Sequence, residues 1–218
     1  MTENIKLDTD RKSYNQVCPM SSALDIIGDR WTILILRELL GGSARFYELR
    51  DGLPGIATNL LTERLRRLEA DGLVRQIDAH NTVLYALTER GAAIRPTLEE
   101  LGFWGARAGR VAPAKYERSI RAVAMALQAI LVRAGDALPP ERMVIELEID
   151  GEYLEVVLDQ RPTVTARLAI DPDARVRTTH EDISAVLRGR PIDDSTFTRV
   201  SGNDVAMNTL IATLDWRK

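Results

Sequence analysis

The side chains best suited to chemistry belong to the segment 55–72, which has the periodicity of a helix. Leu61, Leu65 and Leu68 recur at three- and four-residue spacing, which predicts one apolar stripe packed on a core. The opposite side carries amide, hydroxyl, carboxylate and guanidinium groups of the kind that read base edges in a major groove: Asn59, Thr62, Glu63 and Arg66. Two arginines flank this side at positions that reach phosphates, Arg64 and Arg67. An ordinary solvated helix shows the same pattern, so the neighbouring elements decide between the two interpretations.

A predicted β-hairpin follows this helix directly. Residues 73–77 and 83–87 have the composition of two strands, joined by a short polar turn that contains His80. Thr88 then stands where it can cap a further helix. The order helix, hairpin, capped helix is that of a winged-helix DNA-binding domain, and it is much rarer by chance than any one of its parts.

Other kinds of site find little support. His80 and His180 have no neighbours at metal-ligand spacing, and the sequence has no phosphate loop, nucleophile elbow or Cys–His pair. Four glutamates alternate with apolar residues, which indicates the solvated face of a hairpin: Glu146, Glu148, Glu152 and Glu155. We therefore predict no catalytic residue, no metal and no cofactor, and conclude that the protein is not an enzyme.

Cys18 is the single cysteine and the one residue with redox chemistry. It precedes a predicted helix, whose N-terminal dipole lowers the pKa of a thiol and makes it more reactive. A small, partly buried residue without a regulatory role is the alternative. Because the chain has no second cysteine, oxidation would require a Cys18–Cys18 bond between subunits or a small thiol.

Length and composition describe a globular cytoplasmic protein. The 218 residues suffice for one large domain or two of ordinary size, and 45% of them are hydrophobic. One cysteine fits a reducing compartment, and no stretch resembles a signal peptide or a membrane span, so we expect no membrane partner. The net charge of −3 means that DNA binding depends on local clusters of arginine.

The elements that precede the predicted helix at residues 55–72 complete a helix-turn-helix. Residues 1–17 form a polar arm, and Ser21 or Ser22 is placed to cap a first helix. A mostly buried helix covers residues 30–40 and a short one residues 45–49, followed by the turn at 52–55.

These motifs together resemble the HxlR family of winged-helix transcriptional regulators, which are MarR-like. The similarity rests on an ordered set of motifs within residues 18–105: Cys-Pro at 18–19, Ile-Gly-Asp-Arg-Trp at 27–31, and residues 34–39, 45–46, 53–56, 61–65, 68–73 and 85–91. It implies a dimer that binds double-stranded DNA, a recognition helix at about Thr58 to Ala70 and a wing at about residues 73–87. In some members of the family the cysteine equivalent to Cys18 senses electrophiles or oxidants.

The chain departs from the family pattern in two places. Ala57 stands where a serine usually caps the recognition helix, and we expect Thr58 to take over one residue later. His80 is the one residue at the wing tip that can become cationic by protonation, so we expect phosphate contact rather than insertion into the minor groove. The predicted DNA-binding residues are Arg45, Thr58, Asn59, Thr62, Glu63, Arg64, Arg66, Arg67, Arg75 and His80.

A helical pattern over residues 89–110 includes Ile94, Leu98, Leu101 and Trp104. Simple packing on the first domain would explain it. The family resemblance instead implies that this helix and the N-terminal arm form the contact of a homodimer, which we favour because one small module usually binds a half-site too weakly.

Beyond residues 111–114, the expected linker, the pattern changes. A helix ending near Gly135, three alternating strands at 143–149, 154–158 and 164–170, a helix capped by Thr179, a strand near 197–200 and a last helix predict an α+β domain. The fold class is therefore a mainly α winged helix-turn-helix domain at 18–111, plus an α+β domain at 112–218 with an antiparallel sheet covered by helices.

The second domain is similar to the sterol carrier protein type 2 fold, on the order of its elements and the motifs at 187–191 and 200–203. That resemblance implies a tunnel for a fatty acyl chain or another apolar small molecule. The expected lining is Val123, Leu127, Ile145, Leu147, Val156, Leu158, Leu168, Leu210 and Ile211. The alternative is a filled core that serves as a dimerisation scaffold.

The sequence thus predicts a dimeric transcriptional regulator that reads an inverted-repeat operator and senses an apolar ligand. The rival hypothesis is a lipid-binding module whose winged helix mainly dimerises.

Overall fold

The computed structural model describes residues 13–79, 82–107, 119–135 and 138–214. Most of the predicted arm, the wing tip with His80 and the expected linker at 111–114 lie outside these ranges. The described helices are α1 (Pro19–Ile27), α2 (Thr32–Leu40), α3 (Phe46–Asp51), α4 (Thr58–Ala70), α5 (Glu89–Ala92), α6 (Arg95–Arg107), α7 (Ile120–Ala134), α8 (His180–Leu187) and α9 (Asp204–Leu214). The described strands are β1 (Val74–Ala79), β2 (Thr82–Leu87), β3 (Met143–Ile149), β4 (Glu152–Leu158), β5 (Thr163–Thr165), β6 (Ala174–Thr178) and β7 (Thr198–Gly202).

The N-terminal half is the predicted helix-turn-helix followed by a hairpin. α4 covers the predicted range, and its leucine stripe of Leu61, Leu65 and Leu68 is at most 1% exposed, in one core with α2, α3 and α6. β1 and β2 pair antiparallel, and the hydroxyl of Thr88 accepts the backbone N–H of Gly91 at 3.0 Å, which confirms the predicted cap of α5.

Two predicted helix caps are wrong. α4 begins at Thr58 itself, after Ala57, which offers no side-chain cap. α1 begins at Pro19 with Cys18 at its N-cap, so neither Ser21 nor Ser22 caps it. Proline suits the first helical position because its missing N–H would have no partner there.

The C-terminal half contains a five-stranded sheet in the order β5-β4-β3-β6-β7. β3 and β6 pair in parallel, so the prediction of an antiparallel sheet is wrong for this pair of strands. β6 was also not predicted from the sequence. Its five residues alternate in burial but include two arginines, which weakens the apolar pattern of the sequence. α7 and α9 cover the face that carries Ile145, Leu147 and Val156, as predicted.

The predicted third strand is too long. β5 ends at Thr165, and Leu168 and Ile170 are 61% and 82% exposed because the chain leaves the sheet edge and crosses its outer face. The segment is held there by the Arg167–Glu155 ion pair and by the N–H of Ala169, which donates to Glu146 at 3.3 Å.

The prediction of a fully solvated glutamate face is consequently wrong for two members. Glu146 and Glu155 are 8% and 6% exposed, and each carboxylate is paired with an arginine. Among the residues described, no helix is long and apolar enough to span a membrane.

Candidate nucleic-acid interface

The outer face of α4 carries most of the predicted DNA-binding side chains. Thr58, Asn59, Glu63, Arg66 and Arg67 are exposed there. Thr62 is half-buried, and its hydroxyl donates to the carbonyl oxygen of Thr58 at 2.9 Å, as threonines within helices commonly do. The apolar stripe on the opposite face anchors the helix, so the polar groups are presented to solvent on a rigid support.

Arg64 and Arg67 share two carboxylates. The Arg64 side chain is 15% exposed and lies 3.3 Å from Asp29 and 3.0 Å from Glu63. Arg67 lies 2.8 Å from Glu63 and 3.7 Å from Asp29. Asp29, in the connection between α1 and α2, was not among the predicted site residues, since only the fold brings it to α4. Exposed ion pairs are worth roughly 0.2–1 kcal/mol, so a phosphate can compete for Arg67 at little cost.

Arg66 differs from both neighbours. It is exposed, and within the described ranges its guanidinium forms neither a salt bridge nor a hydrogen bond. Arg75 on β1 is exposed in the same way and extends the basic surface onto the wing. These two side chains can therefore bind an acceptor without first losing a partner.

Arg45 lies at the N-cap of α3. Its guanidinium donates to the Tyr47 hydroxyl at 3.0 Å, and this bond raises the pKa of Arg45 above its ordinary value. The carboxylate of Glu48 accepts the backbone N–H of Arg45 at 2.6 Å and so satisfies the start of the helix. The last predicted residue of the set, His80, lies outside the described residues.

α6 packs on the N-terminal core and also leaves large apolar side chains exposed. Leu98 is 3% exposed and packs into the N-terminal core, whereas Leu101 and Trp104 are 44% and 71% exposed. Tyr14, Val17 and Met20 of the arm and α1 are also exposed apolar side chains. Exposed apolar groups of this size are typical of surfaces that bind a protein partner.

Cys18 is partly exposed at the start of α1. Hydrogen bonds from the backbone N–H groups of Ser21 and then Met20, followed by the Ser21 side chain, lower the pKa of its thiol. A lower pKa raises the thiolate fraction at neutral pH, and the thiolate is the reactive form.

The expected apolar lining of the C-terminal half lies in its core, with one exception. Seven of those side chains are at most 7% exposed: Val123, Leu127, Ile145, Leu147, Val156, Leu158 and Leu210. Ile211 packs against the same cluster. Leu168 lies outside it, on the segment that crosses the outer face of the sheet.

Comparison with known proteins connects this geometry to a family. The sequence model of the HxlR-like helix-turn-helix family matches residues 26–113. Over 96 residues the chain is 38% identical to the uncharacterized HTH-type transcriptional regulator YvaP of Bacillus subtilis (strain 168), covering 42% of this chain and 89% of that protein. Over 94 residues it is 38% identical to the HTH-type transcriptional regulator YodB of the same organism, covering 41% of this chain and 84% of YodB. The structure of the redox regulator HypR in its oxidized form is 36% identical, with a TM-score of 0.41, and the match covers 44% of this chain and all (100%) of HypR.

Proposed function

Because the chain belongs to the HxlR-like helix-turn-helix family of transcriptional regulators, we propose that it acts as a cytoplasmic homodimer that reads an inverted-repeat operator with α4 of each subunit. The observation that carries this proposal is the outer face of α4, where Arg66 is exposed beside Asn59, Thr62 and Glu63. In a dimer the two α4 helices would enter successive major grooves about 34–36 Å apart.

Replacing Arg66 with alanine tests the base-reading role. We expect operator binding to weaken by roughly 1–3 kcal/mol and discrimination at one base position to relax, since arginine bound bidentately to guanine supplies about that much. Affinities for the operator and for each single-base variant, measured at two salt concentrations, give the answer.

Arg67 provides the matched control, because it lies on the same helix and is also exposed. Arg67→Ala should weaken all sequences alike and reduce the salt dependence, as loss of a phosphate contact does. Equal weakening of every sequence by Arg66→Ala would show that Arg66 does not read a base. A footprint over a single unrepeated half-site would contradict the dimeric arrangement.

For the C-terminal half we propose an apolar ligand, such as a fatty acyl chain, held between the sheet and its helices. The apolar core of α7, α9, β3 and β4 and the resemblance to the sterol carrier protein type 2 fold support this. The rival proposal, a lipid-binding module whose winged helix mainly dimerises, predicts the same ligand but no operator, so a gel shift on DNA upstream of the gene separates them.

Thermal unfolding of the whole protein with long-chain fatty acids tests the ligand. A ligand at a hundred times its dissociation constant, bound to the folded state alone, adds about 2.7 kcal/mol of stability and should raise the Tm. Native mass spectrometry should then show the bound lipid. An unchanged Tm with each fatty acid from C12 to C18 would exclude the acyl ligand and favour a dimerisation scaffold as the role of the C-terminal half.

Redox control through Cys18 is a further proposal, supported by its partly exposed thiol of lowered pKa at a helix start. Diamide should weaken operator binding by the wild-type protein and leave Cys18→Ser unchanged. Equal loss in both proteins would assign Cys18 a structural role.

A further inference from the structure

The C-terminal half is joined to the helix-turn-helix at the corner between α2 and α3. The hydroxyl of Ser119, at the start of α7, donates to Glu38 Oε2 at 2.5 Å, and Glu38 is fully buried. The backbone N–H of Ala166, just after β5, donates to the carbonyl oxygen of Gly41 at 2.8 Å. Two separate elements of the C-terminal half therefore meet the same corner.

The two backbones touch at Gly41. A Cβ atom built on Gly41 would lie 2.8 Å from the carbonyl oxygen of Arg121 and 2.9 Å from its Cα, which is closer than real Cβ atoms approach backbone. A glycine at the end of α2 is thus what allows α7 to lie directly against the DNA-binding half.

Arg121 carries this contact into α3. The residue is 8% exposed; its Nη1 donates to the carbonyl oxygen of Gly42 at 3.1 Å and its Nη2 to Glu48 Oε2 at 3.3 Å. That same oxygen of Glu48 accepts the backbone N–H of Arg45 at 2.6 Å. One carboxylate therefore closes the start of α3 and binds a guanidinium from the C-terminal half.

α3 is connected to α4 through the shared core. Leu49 and Leu53 pack in the same buried cluster as Leu61 and Leu65, so a shift of α3 displaces the leucine stripe on which α4 rests.

We propose that Arg121 is a positioning residue for DNA binding: from the C-terminal half it fixes the start of α3, and thereby Arg45 and the orientation of α4. This inference rests on the proposed operator binding by α4. It assigns the C-terminal half a direct physical connection to the DNA-binding surface, whichever ligand that half binds.

Operator affinity of Arg121→Ala tests the proposal, with Arg133→Ala as the matched control. Arg133 also joins α7 to the N-terminal half. It forms an exposed 2.6 Å ion pair with Glu100 and lies over the ring of Phe103 at 3.7 Å, but both partners belong to α6 and not to α3. We expect about tenfold weaker binding for Arg121→Ala, equivalent to about 1.4 kcal/mol, and a change within about twofold for Arg133→Ala. Binding is measured well below the unfolding transition, so that loss of folded protein cannot imitate weaker affinity.

Two further variants separate positioning from general destabilisation. Arg121→Lys keeps the charge but, as a single donor centre, cannot bind both Gly42 and Glu48 in the arginine geometry, and should restore part of the affinity. In a Glu48→Gln background the effect of Arg121→Ala should shrink to about twofold, because the two residues act through one contact.

The outcomes are distinct. Equal affinities for Arg121→Ala and Arg133→Ala, or fully additive effects of Arg121→Ala and Glu48→Gln, would overturn the proposal while operator binding stands. If Arg121→Ala does not fold, Arg121→Lys takes its place. Its operator affinity is then compared with that of the wild type, alone and in the Glu48→Gln background, and equal or fully additive affinities again overturn the proposal. Absence of operator binding by the wild-type protein would instead refute the proposed function.

Discussion

Trp104→Ala is expected to convert the proposed dimer into monomers and to weaken operator binding by at least about 30-fold. Trp104 is 71% exposed on α6, beside the exposed Leu101. A tryptophan buried at the centre of an interface typically contributes about 2 kcal/mol or more, which corresponds to that factor. Sedimentation at several protein concentrations, paired with operator titrations, measures both effects.

Ile170 provides the control for Trp104. It is 82% exposed on the segment that crosses the outer face of the C-terminal sheet, away from α6 in the sequence. Ile170→Ala should leave the dimer and the operator affinity unchanged. A Trp104→Ala protein that stays dimeric would exclude α6 as the dimer contact, and a monomer produced by Ile170→Ala would place the contact on the C-terminal sheet.

Gly91→Ala is expected to lower the free energy of unfolding by about 1–3 kcal/mol or more, the range found for overpacked cores. A Cβ at this position would lie 2.0 Å from the carbonyl oxygen of Leu73, and that oxygen also accepts the backbone N–H of Thr88 at 3.0 Å. This obstacle is backbone, so α5 and the start of β1 must move apart.

Denaturant unfolding of Gly91→Ala and Gly102→Ala measures this effect against a matched substitution. Outside the helix backbone itself, no described residue lies within 4 Å of a Cβ built on Gly102 in α6, so alanine there should keep or raise stability, by up to about 1 kcal/mol through its higher helix propensity. Equal stability of both variants would show that α5 and β1 can separate without loss.

The sequence by itself determined the elements whose signals are local. The leucine spacing of α4, the pairing of β3 with β4 and the cap at Thr88 are all confirmed, because each depends on residues a few positions apart. The surface position of Arg66 follows from the same periodicity. Gly91 belongs to the motif at 85–91 that carries the family resemblance. The sequence did not reveal the close approach of its Cα to the Leu73 backbone, which requires a glycine.

The tertiary structure alone decided which side chains meet across long stretches of chain. Periodicity places Arg64 and Arg66 on one helix. It cannot show that Arg64 pairs with Asp29, or that Arg66 forms no ion pair among the described residues. It cannot show that Leu168 leaves the sheet, or that Ser119 meets Glu38 across 81 positions of sequence. The physical reason is that a repeating pattern tells which face of an element is buried, whereas the partner of that face depends on how distant elements pack together.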